Sequence, residues 1–348
     1  MNRQNVALSG IAMILIVLNH TIHLEFEYAA ALGYSQNFGL NYYILWISQA
    51  LGSFAVPIFL FISGSFVAYA AKGDPPKVTL KFLRSSLLHI LIPYLIWSVI
   101  FYFMLYVNRG TLFSFTEYGR HLIVGYPFHF IPLLVFFYLI SPILIPIGKR
   151  FPWILILGFL IYQLFLLNIK YLGTLGFDFP NWANIFVIPI LGNTMADWGV
   201  CFPLGIVFSL NMQQFRPWLL KLKWPFFCLT VVTFLIGLLD AQNIISAPLA
   251  RFIGPILLLL VISVVQRNSI PAVRRLEEVG KRSYGIYLTH LIVLDSLFLI
   301  ISILAQFLFQ ISGLLTPFLL VLGISIPIFV MTIFSKSPLR KYYRYVFG

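Results

Sequence analysis

SGIAMILIVLNHTIH, Ser9 to His23, is an apolar run that places a histidine where a membrane-spanning helix is still deep in hydrocarbon. An ionisable side chain there is costly, so within a spanning helix it marks a functional candidate. His20 is the first such residue. At about 100° per residue the step from Ser9 to His20 is about three turns, which puts both on one helix face. Met13, Ile16 and His23 complete that stripe.

Composition settles the class. The 348 residues are 60% hydrophobic and 9% charged, and their mean hydropathy is strongly positive, unlike the surface of a water-soluble globule. The sequence predicts an all-α, polytopic membrane helix bundle. About ten apolar spans are expected, near residues 5–23, 44–71, 87–107, 127–147, 152–170, 194–212, 224–239, 247–265, 283–306 and 313–334, each near the ~20 residues that cross a bilayer. One membrane domain is expected to fill residues 1–348. The first run lacks a small-residue cleavage site and is expected to be retained. Cys201 and Cys228 lie in apolar context and suggest no disulfide framework or metal ribbon.

A net charge of +13 raises nucleic acid as a partner, and the distribution of the charge excludes it. With both termini cytoplasmic, all the Lys and Arg residues except Arg109, Arg120, Lys170 and Arg251 fall on the cytoplasmic side, as the positive-inside rule requires. Most acidic residues run the other way, with Glu25, Glu27, Glu117, Asp178 and Asp240 outside. The basic charge is topology, and membrane lipids are the surroundings it answers to.

Several motifs add chemistry. PIFLFISGSF, Pro57 to Phe66, interrupts the second span with proline and glycine, a pattern that borders a cavity or permits close helix packing. Lys81 and Arg84 stand at the cytoplasmic start of the third span, with His89, Pro93 and Tyr94 further in. There they can hold phosphates or simply snorkel. His129 enters the fourth span from outside in FHFIPLLVFFYLISP, as an interfacial anchor or a polar wall. Asp197 is expected near the outer interface, in a helix that starts near Thr194. In SYGIYLTH, Ser283, Tyr287 and His290 share one helical face, which either lines a site or locks helices together. Asp295 lies about 140° from His290 and is not its partner on that helix. A metal at His20 and His23 has little support, because Glu25 and Glu27 are expected beyond the helix end.

Taken together, ALSGIAMILIVLNH, VPIFLFISG, the basic segment before Pro93 and Tyr94, the His129 segment and SYGIYLTH resemble, in fixed order, the membrane-bound acyltransferase 3 family. In that family a basic residue precedes the first-helix histidine by eleven positions; here that position is Ser9. His89 stands where the family has a second arginine. The resemblance implies transfer of an acyl group, acetyl or succinyl in type, from cytoplasmic acyl-CoA to a hydroxyl of an envelope glycan or lipid-linked saccharide. His20 would be the general base, Lys81 and Arg84 would bind the donor, and Ser9, His129, Ser283, Tyr287 and His290 would line the acceptor side. No bound cofactor is implied, acyl-CoA being a co-substrate, and the setting is a multi-pass protein of the bacterial cytoplasmic membrane. A transporter or flippase of a glycan or lipid intermediate, or a catalytically weakened family member, is the alternative that Ser9 leaves open.

Overall fold

The computed structural model describes residues 3–34 and 40–348. In chain order its helices are α1 (Arg3–Ala31), α2 (Leu40–Ala50), α3 (Ala55–Ala70), α4 (Leu80–Arg109), α5 (Phe115–Val124), α6 (Phe130–Arg150), α7 (Pro152–Lys170), α8 (Gly192–Trp198), α9 (Cys201–Leu210), α10 (Met212–Ala241), α11 (Ala250–Ile262), α12 (Val273–Gly280), α13 (Ser283–Leu304), α14 (Ser312–Lys336) and α15 (Tyr343–Phe347). No named strand occurs among the described residues. An all-helical chain is what hydrocarbon demands, since each helix satisfies its own backbone groups. Among the described residues, eight helical segments are long and apolar enough to cross a membrane. The sixth and eighth expected spans fall on the shorter apolar helices α9 and α11.

Two compact units divide the chain. The first holds 56–87 and 123–271, hence nearly all of α3, the first turns of α4 and α6 to α11. The second holds 2–55, 88–122 and 272–348, hence α1, α2, the rest of α4, most of α5 and α12 to α15.

In the first unit, α3 meets α9 at backbone contact. A Cβ on Gly64 would lie 2.1 Å from the Phe202 carbonyl oxygen, and one on Gly205 would lie 2.0 Å from that of Phe61. Only glycine permits such an approach. The α8/α9 junction at Gly199 and Val200 explains why the sixth span is short. Two backbone groups freed by that break are met by Gln163 of α7, itself 2% exposed. Its Nε2 donates to the Asp197 carbonyl at 3.1 Å, and its Oε1 accepts from the Val200 N–H at 2.9 Å. Asp197, in the helix that starts at Gly192, accepts from Lys170 Nζ through both oxygens at 2.8 Å.

In the second unit, α12 crosses the start of α1 just as closely. A Cβ on Gly10 would fall 2.1 Å from the Leu276 carbonyl oxygen, and one on Gly280 would fall 1.8 Å from that of Val6. This crossing fixes the base of α1. Helices α13 and α14 then pack along the rest of α1.

Gln163→Leu leaves a carbonyl and an N–H unpaired in the interior and is expected to cost about 2–4 kcal/mol. Gln163→Glu keeps only the acceptor and falls between. Thermal unfolding of the detergent-solubilised protein at matched purity measures both.

Candidate active site

Helix α1 carries the polar residues that organise the second unit, and it runs further than hydropathy alone suggests. It continues to Ala31, so Glu25 and Glu27 lie inside the helix, where the sequence placed them beyond its end. Helix α4 likewise continues to Arg109. At these two ends Glu27 and Arg109 are ion-paired with each other.

Asp295 of α13 is the centre of that pairing. It is 3% exposed and accepts from Tyr28 Oη of α1 at 3.1 Å, from Asn108 Nδ2 of α4 at 3.2 Å, and from Arg109 Nη2. Arg109 Nη1 donates to Glu27 Oε1 at 2.7 Å, and its guanidinium lies 5.7 Å from the Tyr28 ring centroid. Three helices are thereby joined by one carboxylate and one guanidinium. A second polar tie lies deeper: Glu25, 1% exposed, accepts from Thr316 Oγ1 of α14 through Oε2, while Oε1 is buried without a hydrogen-bond partner.

His20 is half-buried on α1. Its ring faces that of His290 on α13, with centroids 5.2 Å apart and planes tilted by 48°. Glu27 lies on the His20 face of α1, about two turns or about 10 Å toward its C-terminal end, so the Arg109 network lies beyond the two histidines along the helix. His290 is fully buried, with Nδ1 at 2.8 Å from the Tyr287 carbonyl oxygen and 3.1 Å from that of Ile286. The buried Tyr287 ring is 5.9 Å from that of His290.

The other sequence candidates are placed as follows. Ser9 is 3% exposed and its Oγ donates to the Asn5 carbonyl of its own helix at 3.0 Å, so its hydroxyl is committed to the backbone. Ser283, half-buried, begins α13. Lys81 and Arg84 are exposed in the first turn of α4 and are neighbours on one face; they belong to the first unit. His129, also in the first unit, is exposed at the position before α6, with its ring 5.9 Å from that of Tyr126. The structure therefore brings together His20, His290 and Tyr287. It adds Tyr28, Glu27, Asn108, Arg109 and Asp295, which sequence reasoning did not join. One signal was available: Arg109 is among the few basic residues outside the cytoplasmic segments, and Glu27 is an acid on the same side.

Helices long and apolar enough to cross a membrane define a multi-pass membrane protein, and in its second unit two imidazoles stand side by side. The sequence matches the family described as an acyltransferase domain, acyltransferase 3, over residues 7–335, and the chain belongs to that family of membrane acyltransferases. No curated protein and no solved structure gives a significant match.

Asp295→Ala strips three side chains of their acceptor and is expected to destabilise the protein by about 2–4 kcal/mol. Combined with Arg109→Gln, the loss should fall short of the sum of the single losses by about 1–2 kcal/mol. A double-mutant cycle by thermal unfolding in detergent reads both values.

Proposed function

We infer that the protein moves an acyl group, acetyl or succinyl in type, from cytoplasmic acyl-CoA to a hydroxyl of an envelope or exported glycan or lipid-linked saccharide, with His20 as general base. The observation that carries this reading is the placement of His20: a half-buried imidazole on the first helix of an acyltransferase-family chain, beside a second imidazole and below an ion-paired outer rim.

The chemistry follows from the groups present. A sugar hydroxyl is a weak nucleophile until a positioned base takes its proton, and a neutral imidazole is suited to that near neutral pH. As the hydroxyl oxygen bonds to the thioester carbonyl carbon, its proton passes to His20. The C–S bond then breaks, and the departing thiolate takes that proton back from the imidazolium, leaving an ester and CoA. The acyl donor carries several phosphates. Lys81 and Arg84, exposed side by side at the start of α4, supply the cationic pair that such a donor needs.

The Ser9 position bears on how the family's chemistry is served here. Ser9 brings no charge, and its hydroxyl already donates to Asn5. The reading therefore places donor binding on Lys81 and Arg84 and base catalysis on His20, with no part for Ser9. His129 and Ser283 are assigned to the acceptor side on the strength of the sequence motifs alone. The bacterial cytoplasmic membrane is the setting this reaction requires, since it separates the donor from an exported acceptor.

His20→Ala at matched membrane abundance is expected to lower the O-acyl content of envelope glycans at least about 100-fold in rate terms, the contribution of a lost general base. Unchanged esters would overturn the assignment and favour transport. Lys81→Ala with Arg84→Ala should instead raise the KM for acetyl-CoA about tenfold and leave kcat within about twofold, the pattern of lost binding common to ground state and transition state.

A further inference from the structure

We propose that His290 is a positioning residue for His20. Its Nε2 lone pair accepts the N–H on the His20 nitrogen turned away from substrate, fixing the tautomer a general base needs and stabilising the imidazolium formed during transfer. The inference rests on the reading of His20 as the base.

The local geometry of His290 leaves little choice of tautomer. Carbonyl oxygens only accept hydrogen bonds, so Nδ1, which faces those of Tyr287 and Ile286, carries the hydrogen and Nε2 is left with its lone pair. Nε2 is buried and has no hydrogen-bond partner, on a side chain with no exposure at all. A doubly protonated ring would bury a charged N–H with no acceptor. The site is thus a neutral acceptor in a dry setting, where a hydrogen bond from a cation is strong.

The neighbouring ring is that of His20. Two imidazoles joined by a straight N–H···N bond have centroids about 5 Å apart, the N···N separation plus about an ångström of ring at each end. The 5.2 Å observed matches that separation, and the proposed bond forms when the half-buried His20 ring turns about its Cβ–Cγ bond. Glu27 and Asp295 are engaged with Arg109 of α4, and one oxygen of Glu25 with Thr316 of α14. Tyr287, one turn back on α13, is the other titratable group beside His290. The orienting role that a carboxylate plays beside many catalytic histidines falls here to a second imidazole. Protonation of His20 then adds one charge to the interior without requiring a second.

Diethyl pyrocarbonate, which acylates neutral imidazole, reports this without any substrate. The full-length protein in lipid nanodiscs is treated at a series of pH values, and modification of the His20 peptide is followed by mass spectrometry. The arms are wild type, His290→Phe, His290→Asn and His290→Gln. Phe and Asn remove the acceptor at the Nε2 position; the Gln carbonyl reaches nearly the same point. The midpoint of His20 labelling should fall by about one pH unit in the Phe and Asn variants and stay within about 0.3 unit of wild type in the Gln variant. If His290→Phe does not fold, His290→Asn carries the test. An unchanged midpoint in either folded variant, a His20 that never reacts, or loss of folded protein in all three variants would overturn the proposal. Full acyl transfer by His20→Ala would defeat the base assignment while leaving a shifted midpoint intact, so the two failures are separate.

Discussion

A carboxylate in hydrocarbon must be held by donors or give up its charge, and the second unit is built to hold Asp295. Tyr28, Asn108 and Arg109 close on it from α1 and α4, and Arg109 is shared with Glu27. The energetic consequence is asymmetric. The intact network adds little over an apolar core, whereas removal of one member leaves a charge stranded. Such a network fixes the register of three helices, and that register sets where His20 stands relative to His290. The placement of the two imidazoles and the polar network are thus parts of one constraint.

The two ends of α1 are held by different means. At its base, Gly10 and Gly280 let α12 approach to backbone contact, a close steric fit. At its far end the fit is ionic. His20 sits between these anchors, half-buried, with a fully buried partner ring on α13. This arrangement suits a base that must meet a hydroxyl on one side and be oriented from the other. Ser9 takes no part in the proposed chemistry, and its hydroxyl is engaged by its own helix.

Much of the fold was legible because the bilayer imposes a local rule. Length and hydropathy place the spans. Helix ends were not legible. Glu25, Glu27 and Arg109 read as exits from the membrane, yet they lie inside α1 and α4 and meet residues far along the chain. The short α9 is similar: Gln163, more than thirty residues earlier, satisfies the Asp197 carbonyl and the Val200 N–H at the break. Within the site, His20 and the Ser283 to His290 stripe were each visible from helical spacing. Their proximity was not, since no local pattern encodes a distance between helices so far apart in sequence. The direction of the Ser9 hydroxyl was equally hidden, because a serine on a helix can turn either to a ligand or to the carbonyl four residues back.

The central claim is that an acyl group leaves a cytoplasmic donor and reaches an acceptor on the opposite face through His20. The most direct measurement uses inverted membrane vesicles, whose cytoplasmic face is outward, given acetyl-CoA labelled in the acetyl group. The account predicts base-labile label on glycan inside the vesicles, released CoA in equal amount, and loss of both in His20→Gln. Label entering without CoA release, or both persisting in His20→Gln, would contradict it.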